Sequence, residues 1–96
     1  MTGPVGEGVP LKLRLYIAGD WPNSQRALTN LRAMLVGREV ELEVVDCLED
    51  PRRGLRDGIF VTPTLMKLSP TPVRTILGDL RNRASVLEAL LSAAVP

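Results

Sequence analysis

A chain of 96 residues in which twelve Lys and Arg face eleven Asp and Glu, for a net charge of +1, is enough for one domain and carries no field that would steer it to a phosphate backbone or an anionic membrane. Only three side chains are aromatic, which argues against a base-stacking platform for single-stranded nucleic acid and leaves Leu, Val, Ile and Ala to build the core. Histidine is absent, removing the commonest general base and the commonest zinc ligand together, and the single Cys47 has no partner for an internal disulfide.

Residues 1–10 read as a flexible lead-in to a single domain spanning 11–96, with neither the basic nor the apolar region of a secretory signal. No stretch approaches the roughly 18 to 20 apolar residues that cross a bilayer, and a lone cysteine suits a reducing compartment; the expectation is a cytoplasmic chain without membrane contact. Leu11 to Ile17 alternates apolar and basic residues and then turns wholly apolar, the pattern of a strand passing from a half-exposed rim into a core. Gly19 and Pro22 form a turn in which Asn23 or Ser24 is suited to accept the free N–H groups of a helix start. Ala27, Leu28, Leu31, Met34 and Leu35 then line one helical face, and Gly37 ends the helix. Val40 to Asp46 is a second strand, with Val40, Leu42 and Val44 on one side and Glu41 and Glu43 on the other, the latter read as a solvated face. Two strands separated by a helix imply a parallel pair with a right-handed crossover.

The charged segment Glu49 to Gly58 admits a short helix with Asp50 as its cap and Pro51 as its first residue. Pro63, Pro70 and Pro72 divide the next apolar run into Thr64–Leu68 and Val73–Leu77, a hairpin with a stiff connection. Asn82 is a candidate cap for a last helix striped by Val86, Leu87, Leu90, Leu91 and Ala94. The order is β-α-β, short helix, hairpin, helix: an α/β, thioredoxin-like arrangement in which Pro63 holds the place of that fold's cis-proline.

The chemistry of that fold is missing. Redox thioredoxins place a CxxC motif at the start of the first helix, whose positive end favours a thiolate; here the place is taken by Trp21-Pro22-Asn23-Ser24. Cys47 reads as a small core side chain, Ser24 has no histidine to activate it, and the carboxylates lack the spacing of a calcium loop. Lys67, Arg74, Arg81 and Arg83 suit solvated rims or the acidic surface of a partner.

In order and spacing, Leu13 to Gly19, Pro22 to Leu28, Val44 to Leu48 with Pro51, Thr62 to Lys67, and Pro72 to Leu80 followed by Val86-Leu87 resemble the KaiB family of circadian-clock proteins. The resemblance covers nearly all of Leu11 to Leu91 and implies a regulator without enzymatic activity or cofactor that binds the ATPase KaiC. It further implies a fold switch between a thioredoxin-like, KaiC-competent state and a resting homo-oligomer, tetramer or dimer, in which residues from about 47 onward are rearranged. KaiA or a clock histidine kinase would be further partners. Arg26, Lys67 and Arg74 become candidates for partner or oligomer contacts, Gly78 and Asp79 for control of the switch, and Pro63 for its isomer-sensitive position. The alternative implied is a KaiB-like sensor or adaptor of constant fold in KaiC-linked stress signalling.

Overall fold

The computed structural model describes residues 11–91; the lead-in at 1–10 and Ala94 lie outside the described residues. Its elements are β1 (Leu11–Ile17), α1 (Pro22–Leu35), β2 (Val40–Asp46), α2 (Pro51–Arg56), β3 (Thr64–Ser69), β4 (Arg74–Leu77) and α3 (Arg83–Leu91). The sheet order is β2-β1-β3-β4, with β1 and β2 parallel and the β1–β3 and β3–β4 pairs antiparallel. The β-α-β unit, the short helix, the hairpin and the last helix thus stand in the expected order.

Alternation sends Leu13, Leu15 and Ile17 of β1 to one face, where they pack with Leu65 of β3, with Ala27, Leu31 and Met34 of α1, and with Val86 and Leu90 of α3. These side chains are buried, and Leu28, Leu35, Leu42, Ile76 and Leu87 close the rim of the cluster. The other face of β1 carries Lys12, Arg14 and Tyr16. Tyr16 is fully buried there, so the strand end is enclosed on both sides, as its continuous apolar run demands. On the edge strand β2 the regular alternation breaks at its carboxyl end: Val44 is exposed and Val45 buried.

Two caps follow the sequence and one departs from it. The Asp50 carboxylate accepts the Arg53 N–H at 3.2 Å, and Asn82 Oδ1 accepts the Ser85 N–H at 3.1 Å, each satisfying a donor that a helix start leaves open. In α1 the cap position is Trp21, without a side-chain bond to the helix, because Pro22 occupies the first helical position and needs no acceptor for an N–H it lacks. Neither Asn23 nor Ser24 caps this helix. Ser24 is buried in the first turn, and its Oγ reaches back to accept the Ala18 N–H at 2.9 Å, closing the turn that leaves β1.

That bond yields a measurable consequence. Ser24→Ala leaves the buried Ala18 N–H without its acceptor and should destabilise the domain by about 1–3 kcal/mol, read as a lower urea midpoint with unchanged slope, while Ser24→Thr keeps the oxygen and should recover part of the loss.

Candidate interaction rim

The last parallel pair is Ile17 with Asp46, the first β1–β3 pair is Tyr16 with Thr64, and Thr64 in turn pairs with Leu77. The segments that follow β1, β2 and β4 and the one that precedes β3 therefore all emerge at one end of the sheet, beside the start of α1. Asp46 ties two of them together: one carboxylate oxygen accepts the N–H groups of Gly19 at 3.0 Å and of Leu48 at 2.9 Å. Gly19 sits at φ +54°, and a β-carbon there would meet Leu48 Cδ1 at 3.0 Å, so both backbone and space select glycine. Around this end Trp21, Leu48, Phe60 and Val61 are exposed, Trp21 at 63% and Phe60 at 87%. Together they give this end of the sheet an apolar surface.

Pro63, Gly78, Asp79 and Arg26 fall on this rim. Pro63 is buried just before β3, after a cis peptide bond to Thr62, and its carbonyl accepts the Gly78 N–H at 3.0 Å. Asp79 offers its carbonyl to Asn30 Nδ2 at 2.8 Å and its carboxylate to the Arg81 N–H at 3.2 Å. Arg26 is exposed and donates to Asn23 Oδ1 at 2.6 Å. Arg26, Asn23, Asn30, Gly78, Asp79 and Arg81 share one open groove of about 910 Å³ between α1 and the β4–α3 segment. Gly78 stands at φ +101°, a conformation natural only to glycine, and Leu80 at φ +62° although it is buried.

Lys67 and Arg74 lie elsewhere, paired across the β3–β4 hairpin. Arg74 is exposed on the edge strand, but Lys67 is not the surface cation that its charge suggests: alternation puts it on the Leu65 face, opposite Leu13, and it is fully buried. Burial pushes its ammonium below the usual lysine range, and the Arg74 charge acts in the same direction. In this fold Lys67 is not available to an acidic partner. Cys47 is half-buried, with Sγ facing Gly54, and burial followed by the carboxylates Asp46, Asp50 and Asp57 pushes its thiol up, away from the thiolate that redox chemistry needs.

On the opposite face of the sheet lies a group that sequence reasoning leaves scattered: Arg14, Tyr16, Glu43, Arg53 and Asp57. The Tyr16 hydroxyl donates to Asp57 Oδ2 at 2.7 Å, Arg53 holds Glu43 through two N–H groups at 3.0 and 3.1 Å, and Arg14 Nε reaches Glu43 Oε1 at 2.6 Å. Glu43 is not an idle member of a solvated face. Its spacing to Arg53 carries no signal along the chain, and the one available clue is the parallel register, which sets Arg14 beside Glu43.

The KaiB domain, as a family, matches residues 14–91. The chain belongs to the KaiB family. It is 48% identical to a circadian clock oscillator protein KaiB of Prochlorococcus marinus, over 81% of this chain and 69% of that protein. It is equally similar, at 48%, to the protein of the same name from Parasynechococcus marenigrum (strain WH8102), over 81% of this chain and 78% of the relative. Among solved structures, the N-terminal domain of Synechococcus elongatus SasA superposes with a TM-score of 0.69 at 20% identity, covering all of this chain and 98% of that one. A Thermus thermophilus thioredoxin gives 0.57 at 21%, over 88% of this chain and 73% of its own. These KaiB-family residues thus adopt the thioredoxin-like fold expected from the order of elements.

Two measurements test this geometry. Bonds from Arg53 and then Arg14 hold the Glu43 carboxyl below its usual range, and the Tyr16 hydroxyl, followed by Arg56 and Arg53, does the same for Asp57. Because both folded-state values lie below the unfolded ones, the stabilisation is complete above the unfolded carboxylate range near pH ~4 and is lost as pH falls through the folded values. The urea midpoint should fall below pH ~4 in the parent chain and more shallowly in Glu43→Gln. Gly78→Ala, forced into a glycine conformation with open space around it, should cost about 1–3 kcal/mol, measured in the same unfolding experiment.

Proposed function

We propose that the chain is a non-catalytic clock or timer regulator that binds a KaiC-type ATPase in its thioredoxin-like state. The observation that carries this reading is the rim: where a redox thioredoxin has two cysteines, this chain has Trp21-Pro22-Asn23-Ser24, surrounded by exposed Trp21, Leu48, Phe60 and Val61. A surface without a nucleophile and with uncovered aromatics suits binding rather than turnover. The kinship with proteins named circadian clock oscillator protein KaiB supports a clock protein as the partner.

The same reading includes a second, resting state, a tetramer or dimer in which residues from about 47 onward are rearranged. Two features support it. The unit β1–α1–β2 closes its own parallel pair before residue 47, so that ladder is independent of the second half. The second half holds Leu80 in a left-handed conformation, a torsional cost that repacking would relieve. If the ATPase binds only the thioredoxin-like state, its apparent affinity is reduced by the fraction of molecules in that state, and capture is correspondingly slow. KaiA-type proteins and clock histidine kinases are further partners on this reading, and the cytoplasm its location. The likeness to the SasA domain favours, as the second reading, an adaptor that keeps one fold.

The test is to incubate the isotope-labelled chain overnight with a KaiC-type hexamer and ATP. Co-elution with the ring is expected, with a second set of amide resonances in the free chain, and Trp21→Ala with Phe60→Ala should weaken association at least ~tenfold. Failure to associate with any such hexamer rejects the function; association with a single, unchanging set of resonances rejects the switch and selects the constant-fold adaptor.

A further inference from the structure

Helix α2 sits on the sheet without an apolar face. Of its six residues only Gly54 is buried, against Cys47, where a β-carbon would come within 3.2 Å of Sγ; Leu55, its one large apolar side chain, is 72% exposed. Helices of this length have no stability of their own and are held by packing, so something else must hold this one. Its first turn follows backbone bonds from Glu49 and Asp50 to the Asp46 carbonyl. The rest of the attachment is polar.

Arg53 and Asp57, one turn apart, present a cation and an anion to the sheet, and both are largely covered, with side chains 21% and 16% exposed. Tyr16 of β1 donates to Asp57, and Glu43 of β2 receives the Arg53 fork. Arg14 closes the ring, at 2.6 Å from Glu43, 3.3 Å from the Tyr16 hydroxyl and 3.8 Å from Asp57. Two-pronged arginine–carboxylate bonds and a phenol bonded to an ionised carboxylate are the stronger kinds of hydrogen bond, and partial cover weakens their screening by salt. The ring also has a division. Arg14, Tyr16 and Glu43 belong to the β1–α1–β2 unit, whereas Arg53 and Asp57 belong to the segment after Asp46.

We propose that this five-residue ring is a releasable clasp: it sets the fraction of molecules in which α2 is docked on the sheet and, through that fraction, the rate at which the partner is captured. The first half of this statement stands on the geometry of the free chain; the second rests on the function proposed above. Polar attachment makes docking a local equilibrium. Opening the ring costs hydrogen bonds and uncovers Tyr16 and Val45, but the main core lies on the other face of the sheet and includes neither, so α2 can leave without that core unfolding.

Hydrogen exchange by NMR on the full chain tests it, comparing the parent with Tyr16→Phe, Asp57→Asn and the double variant. The reporters are the amides of Asp57, Gly58 and Ile59, which bond back to Arg53, Leu55 and Gly54, set against the amides of Leu13 and Leu15 in β1. Each single variant should exchange about tenfold faster at the α2 reporters and unchanged in β1, the double variant should be no faster than the faster single, and capture of a KaiC-type hexamer should slow in proportion to the docked fraction that the exchange data give. Unchanged α2 exchange, equal acceleration in β1, or effects that multiply in the double variant overturn the clasp. A capture rate that does not follow the docked fraction across the variants overturns its regulatory role. A parent chain that captures no hexamer defeats the proposed function instead, and the exchange data still decide whether the clasp exists.

Discussion

Strand β1 is the constraint on which the rest of the molecule depends. Among the described residues it is the one strand that is paired in parallel on one edge, with β2, and antiparallel on the other, with β3, and its two faces supply both the main core and the buried Tyr16. A strand enclosed on both faces must be apolar where it is covered and tolerant of charge where it is not. Leu11 to Ile17 meets this with lysine and arginine confined to the first four positions. Apart from β4, which pairs with β3, the elements after Asp46 are fastened to this strand or to its parallel neighbour: β3 by its ladder, α2 by charged and phenolic side chains, α3 by Val86 and Leu90 in the shared core.

The fold keeps the thioredoxin scaffold, with Trp21-Pro22-Asn23-Ser24 where redox thioredoxins carry paired cysteines. The first helix still begins where the parallel strands end, but proline takes the first helical position and Ser24, turned inward, serves the backbone. Cys47 stands one residue beyond the second strand with its thiol held protonated by burial and by neighbouring carboxylates. What remains at that end of the sheet is apolar surface and a polar groove, the materials of recognition.

Much of this was legible in the residues. Period-two alternation placed β1 and β2, the stripe Ala27 to Leu35 placed α1, prolines bounded the hairpin, and Asp50 and Asn82 announced their helices. The rest was hidden for identifiable reasons. Lys67 follows Leu65 by two positions, so strict alternation already puts it inside; the charge argues for the opposite face, and the sheet geometry prevails over it. Val45 is buried and Val44 exposed because α2 covers the end of β2, a tertiary event that no local pattern encodes. The association of Tyr16 and Asp57, 41 residues apart, depends on where a six-residue helix lands.

Leu80 shows how such a chain keeps a turn under tension. Its side chain is 4% exposed in the shared core while its backbone occupies a left-handed conformation that disfavours a branched residue. Burial outweighs the torsional penalty only while Val86, Leu90 and the first helix form the cavity that receives it. The seat and the sitter are therefore mutually conditional: without Val86 and Leu90 the burial that offsets the Leu80 torsion is lost, and the loop would be held bent only by the Gly78–Pro63, Asp79–Asn30 and Asp79–Arg81 bonds.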